Sequence, residues 1–177
     1  MDGAARTIRR SLNAIYDGAG FLSALCLVAI LVIITAQVIA RWAGIQFNGS
    51  NEYAGYFMAA ASFLAFAHTL NRGAHIRVGL LLNALGARRF WGELWCLVIA
   101  SAASTYLAWY AVKMVYWSHR LNELSQGQDV TPLWIAQAPM AAGAVILAVC
   151  FIDNLVALVM RGRDNIREDL AEQSHAE

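Results

Sequence analysis

The chain has 177 residues, of which 59% are hydrophobic and only 14% charged, with a formal net charge of +1. A soluble domain of ordinary composition carries about a quarter charged residues, so this composition excludes one and indicates an integral membrane protein. The small net charge is uninformative about partners; what matters is where the arginines fall. At this length the chain is read as a single membrane domain, 1–177, with room for about four spans and no separate soluble domain.

Residues 1–17 are short and basic, with Arg6, Arg9 and Arg10 against Asp2 and Asp17. Ile8, Leu12 and Ile15 form a weak apolar stripe that predicts a short surface helix. The charge-free run that follows, Gly18 to Ala40, is about 23 residues, too long for a signal-peptide core of about 7–15. It is read as a retained first span, about 19–40. Arg41 to Asn51 is a loop in which Trp42 and Phe47 suit a membrane interface and Asn48, Gly49 and Ser50 signal a turn. Ser50 or Asn51 is expected to cap the second helix, with Glu52 in its first turn, where the helix dipole favours a negative charge.

The second span is predicted over about 52–70. Gly55 with Ala59, and Ala61 with Ala65, are small pairs four apart that let helices approach in lipid. Next comes a basic segment, 72–89, holding Arg72, His75, Arg77, Arg88 and Arg89. Its Val78, Leu81, Leu82 and Leu85 lie on one helical face. Such a segment predicts an amphipathic helix lying flat at the membrane surface between spans two and three. The third span, about 90–117, carries the small-residue ridge Ala100, Ser104 and Ala108. Its far end is crowded with Tyr106, Trp109, Tyr110, Tyr116 and Trp117, an interfacial belt from which Lys113 can reach water. A polar loop, Ser118 to Thr131, leads to the fourth span, about 132–160. Pro132 is expected in its first turn, and Pro139 is expected to kink it mildly. The tail after Arg161 mixes both signs.

The positive residues assign the sides. Ten arginines fall in the N-terminal segment, the middle loop and the tail, against Arg41, Lys113 and Arg120 on the other side. Positive residues in short loops stay in the cytoplasm. Both termini and the basic segment are therefore expected there, and the loops 41–51 and 118–131 outside. The fold class that follows is all-α: four transmembrane helices plus a cytoplasmic-side interfacial helix.

Candidate chemistry is sparse. The four histidines, His68, His75, His119 and His175, do not fall at one depth on facing spans, so axial haem ligation is not expected. Glu52, Glu93 and Asp153 sit at span ends, where ion pairs with arginines are the expected role, and no ionisable group stands at mid-span, the usual mark of a coupled-transport site. Cys26, Cys96 and Cys150 each lie in apolar runs without metal-ligand spacing. No nucleophile or phosphate-binding pattern is present, so neither enzyme activity nor a cofactor or metal is expected.

Three pieces together carry a resemblance: VIARW (Val38–Trp42) ending the first span; Glu52 in NEY, followed by an alanine-rich span and AHIRVGLLLNAL; and TPLWIAQAPMAAG (Thr131–Gly143) opening the last. With the length and four-span layout, these are similar to the small membrane subunit, the DctQ-type permease, of tripartite ATP-independent periplasmic (TRAP) transporters. The resemblance covers roughly residues 18–160. Glu52 stands alone where the family often has an acidic pair, and Gly79 stands where an aspartate often follows the His-x-x-Val piece, so contacts of those carboxylates are not carried over. The resemblance implies a bacterial inner-membrane location and two partners. One is a large membrane subunit that holds the sodium sites and carries the solute. The other is a periplasmic binding protein that delivers an organic acid or similar solute. It implies a bracing, non-catalytic role here. The basic segment (Arg72, His75, Arg77, Arg88, Arg89) is the expected membrane-interface and assembly element. Arg41, Glu52, Arg120, Glu123 and Asp129 are candidates for periplasmic contact with the binding protein. The alternative from another class is a four-span anchor or scaffold of a different complex, such as a respiratory enzyme.

Overall fold

The computed structural model of the chain describes residues 2–45, 49–71, 89–127 and 130–161. Four helices account for nearly all of them: α1 (Asp2–Trp42), α2 (Ser50–Asn71), α3 (Arg89–Arg120) and α4 (Leu133–Arg161). Three of these, α1, α3 and α4, are long and apolar enough to cross a membrane. Helix α2, rich in alanine and interrupted by Gly55, two tyrosines and His68, is not among them. The predicted interfacial helix over 72–89 lies outside the described residues, except that Arg89 opens α3.

The helices form a row. Helix α1 packs on α2, α2 on α4, and α4 on α3, while α1 touches α4 only near one end. The residues α1 turns inward, Tyr16, Ala19, Ser23, Cys26, Ile30 and Ile33, alternate steps of three and four. So do Leu97, Ser101, Ser104, Ala108, Ala111, Val115 and Ser118 of α3. That alternation is the seam of left-handed, knobs-into-holes packing. On α3 the seam is almost entirely alanine and serine, which brings backbones close where lipid supplies no hydrophobic drive. Outward-facing positions are large and apolar, with Phe21, Leu31 and Val32 on α1 and Trp91, Trp95 and Trp109 on α3 all exposed.

Two clusters form the core. One joins Ala108 and Ala111 of α3 to Ala141, Ala144 and Ala148 of α4, with Phe63 of α2 against it. The other joins Tyr16 of α1, Ala67 and Leu70 of α2, and Cys150 of α4. The tightest crossing is between α2 and α4. A Cβ added at Gly143 would stand 2.5 Å from the Phe63 carbonyl carbon. At the α1–α2 crossing, a Cβ at Gly20 would stand 2.6 Å from the His68 ring. The Ser23 hydroxyl donates to the Ala61 carbonyl across the same crossing at 2.8 Å.

Several expectations are corrected in detail. Helix α1 is continuous from Asp2, where a separate surface helix was expected over 1–17. Nothing at Asp17–Gly18 terminates it, and Tyr16 is drawn into the core. Of the small pairs on α2, Gly55 would have nothing within 4 Å of an added Cβ, whereas Ala61 is buried, with Ala60, Leu64, Ala67 and Leu70 on the same helix. The α2 cap is Gly49 rather than Ser50 or Asn51. The carbonyl of Gly49 accepts the first helical bond, from Tyr53 N at 3.1 Å, and its φ of 80° suits glycine alone. Pro132 precedes α4 instead of standing in its first turn.

Candidate functional site

The candidate sites are the two ends of the helix row, where the polar side chains gather. The first end gathers polar groups from three helices. Arg9 of α1 forms an ion pair with Asp153 of α4, both only partly exposed. About two turns further along α1, Asp17 Oδ1 lies 3.2 Å from His68 Nδ1 of α2. Between the two pairs sits Tyr16, fully buried, its ring against Ala67, Leu70 and Cys150. Asn154, also fully buried, donates to the Cys150 carbonyl one turn back at 2.8 Å. The Cys150 thiol points at the Ala67 carbonyl, 3.8 Å away. Chemically this is a clasp: opposite charges and a packed aromatic fix the base of α1 to α2 and α4. Asp153 was expected to pair with an arginine at a span end. The partner, Arg9, was visible in the sequence only as a topology residue. Among the described residues, no group of three His, Cys, Asp or Glu side chains is placed to hold a metal.

The second end is the turn between α3 and α4. Helix α3 stops because Asn122 takes a left-handed φ of 48°. The Asn122 and Glu123 amides then return to the carbonyls of His119 (3.3 Å) and Ser118 (3.0 Å). This is the Schellman arrangement, in which asparagine can replace the usual glycine. Helix α1 ends the same way, with Gly44 at φ 73° and Ile45 N bonded to Ala40 O at 2.9 Å. From Glu123 the chain doubles back: Ser125 N donates to Thr131 O at 2.8 Å, Leu133 N to Glu123 O at 2.9 Å, and Leu124 bridges Pro132. Two tyrosines of α2 hold this loop. Tyr56 donates to Ser125 Oγ at 2.6 Å, and the Tyr53 hydroxyl shares a 3.1 Å hydrogen bond with Thr131.

The proposed contact residues distribute accordingly. Arg120 is exposed and donates to the Tyr116 hydroxyl at 2.8 Å. Glu123 accepts from the buried Ser118 hydroxyl at 2.8 Å. Glu52 stands in the first turn of α2, and Arg41 in the last turn of α1, on a different helix end. Asp129, with Arg72, His75, Arg77 and Arg88, lies outside the described residues, as does the side chain of Arg89. Sequence reasoning missed Tyr53 and Tyr56; the signal available was a pair of hydroxyl-bearing rings three apart at a span end. His68 and His119 lie at opposite ends of the row, His119 with its ring 5.2 Å from that of Trp134.

No curated protein and no solved structure matches this chain. A family model does, over residues 30–161, and its description is "Tripartite ATP-independent periplasmic transporters, DctQ component". The match runs from the last third of α1 through the end of α4; it takes in the alanine cluster and the loop at the second end, and begins after Arg9, Tyr16 and Asp17. The chain belongs to the DctQ family: it is a small permease subunit of a TRAP transporter, a multi-pass membrane component without catalytic activity.

Proposed function

We propose that this chain is the static subunit that braces the large, sodium-coupled membrane subunit during uptake of an organic acid or similar solute, delivered by a periplasmic binding protein. The observation that carries this reading is where charge lies. The Arg9–Asp153 ion pair and the Asp17–His68 contact sit at one end of the row, and the crossings between are made by alanine, serine and glycine. Coupling an ion to a solute calls for an ionisable group within the span, so sodium binding is assigned to the large partner and no cofactor to this chain.

In this reading 1–177 is one membrane domain in which all four helices cross, α2 included, shielded by its neighbours. The Arg9 end, both termini and the 72–89 segment face the cytoplasm. Arg72, Arg77, Arg88 and Arg89, with His75, hold the subunit at fixed depth, each arginine contributing about 1 kcal/mol at an anionic leaflet. Arg41, Glu52, Arg120, Glu123 and Asp129 face the periplasm, where the loop end receives the binding protein.

The test is reconstitution. Proteoliposomes holding the large subunit, supplied with binding protein and a sodium gradient, are expected to take up solute only when this chain is present. Gradient-driven flux through this chain alone would overturn the proposal. Replacing Arg77, Arg88 and Arg89 together by glutamate should weaken co-purification with the large subunit.

A further inference from the structure

We propose that the bilayer crosses this fold obliquely, its hydrocarbon band lying high on α1 and low on α3, so that each side of the row projects into water at the opposite end. The inference uses the family's membrane location and not the bracing role.

Relative heights follow from the packing. Tyr16 of α1, Ala67 of α2 and Cys150 of α4 share one buried cluster and so define one height. On the other side of α4, His119 of α3 contacts Trp134. Helices α3 and α4 run antiparallel with the same rise per residue. Descending equally from that contact reaches Cys150 on α4 and Ala103 on α3. Ala103 is therefore level with Tyr16.

The charge-free runs are not level. On α1 the run is Gly18–Ala40, centred about 20 Å above Tyr16, toward the loop end. On α3 it is Leu94–Val112, centred on Ala103 itself. Those of α2 and α4, the helices between, are centred about 8 and 11 Å above the reference height. The band is thus highest on α1 and lowest on α3, the two helices at the outer edges of the row, with α2 and α4 at intermediate heights between them.

The interfacial aromatics agree independently. On α3, exposed Phe90, Trp91 and Trp95 lie below Ala103, and exposed Trp109 and Trp117 above it. The α1 anchor at the loop end, Trp42, stands about 39 Å above Tyr16, whereas Trp117 stands about 21 Å above Ala103. Were the helices upright, the Asp17–His68 pair would be level with the middle of α3's apolar run, among the costliest depths for a half-exposed carboxylate.

Four helices in a row are separated by three spacings of about 8–10 Å each, so a 20 Å offset corresponds to a tilt of roughly 35°, near the upper end for membrane helices. Lys113–Arg120 and the loop after it then stand clear of one leaflet beside a still-embedded α1. The base of α1, with Arg9 and Arg10, stands clear of the other leaflet beside a still-embedded start of α3.

Cysteine accessibility tests this in two level pairs of exposed positions, Leu31 with Trp117 and Ile15 with Ala102. Each is replaced singly by cysteine in the full chain, in lipid nanodiscs and in the assembled transporter. A membrane-impermeant maleimide is applied, and labelling at that site is read by peptide mass spectrometry, so the native cysteines remain. Trp117→Cys and Ile15→Cys should label at least about tenfold faster than Leu31→Cys and Ala102→Cys, because only the former leave the hydrocarbon. Rates within about twofold in each pair, in nanodiscs where no partner covers α1, would overturn the proposal. The assigned orientation is read separately in sealed, uniformly oriented membrane vesicles; reversed sidedness there would refute that orientation yet leave the within-pair contrast in nanodiscs intact, so the two readings fail separately.

Discussion

Gly143 and Gly44 are glycines for different reasons. At Gly143 the requirement is space, because an added Cβ would meet the backbone carbonyl of Phe63. A backbone atom cannot rotate away as a side-chain tip can, so Gly143→Ala must separate α2 from α4 and should cost about 1–3 kcal/mol. The measurement is the thermal unfolding midpoint in detergent, with Gly55→Ala, which meets open space inside α2, as a control that should hold or slightly raise it. At Gly44 the requirement is backbone angle: open space surrounds it, but its φ is 73°. Gly44→Ala should therefore cost about 1 kcal/mol, and fraying should be confined to the last turn of α1, visible as faster amide exchange at Ala43–Ile45. The sequence alone favoured Gly55 and passed over Gly143. In a chain this rich in small residues, composition marks many faces that permit close approach, and only the partner helix decides which one is used.

For the elements, the Arg9–Asp153 pair is the test of what secures α1. Both groups are partly shielded, and removing either leaves the other charged with a poorer environment. Arg9→Ala or Asp153→Ala should each destabilise the chain by about 1–3 kcal/mol, and the exchanged pair R9D/D153R should recover part of the loss, in a double-mutant cycle of thermal midpoints. At the other end, Tyr53→Phe with Tyr56→Phe removes both hydroxyls that tie α2 to the loop. Amide exchange at Ser125 and Leu133 should quicken while the core clusters stay protected. At the loop end, the start of α2, the stop of α3 and the start of α4 fall beside the charges, turn formers and Pro132 that bracket the apolar runs. The start of α1 was not legible in this way. Leu12 reads with Ile8 and Ile15 as a weak surface stripe, and Tyr16 goes unmarked, until the α2 and α4 residues of its cluster, Ala67, Leu70 and Cys150, are brought beside it, and sequence separation hides that.

Across the whole molecule, the legible part was class: a helical membrane chain of the DctQ family. The order of packing was not legible, because each helix carries small residues that would serve several arrangements. Packing resolves into two sequence-adjacent hairpins, α1 with α2 and α3 with α4, joined chiefly where α2 meets α4. Each hairpin has its own interface: Ser23 to Ala61 in the first, and the alanine cluster in the second. That division has a consequence during synthesis. The first hairpin can close while the second is still inside the ribosome, and the Phe63–Gly143 joint forms last. Supplied as two polypeptides, 1–88 and 89–177, the chain should therefore reassemble on co-expression and be recovered as a complex, and Gly143→Ala should impair that recovery more than it impairs the accumulation of either fragment.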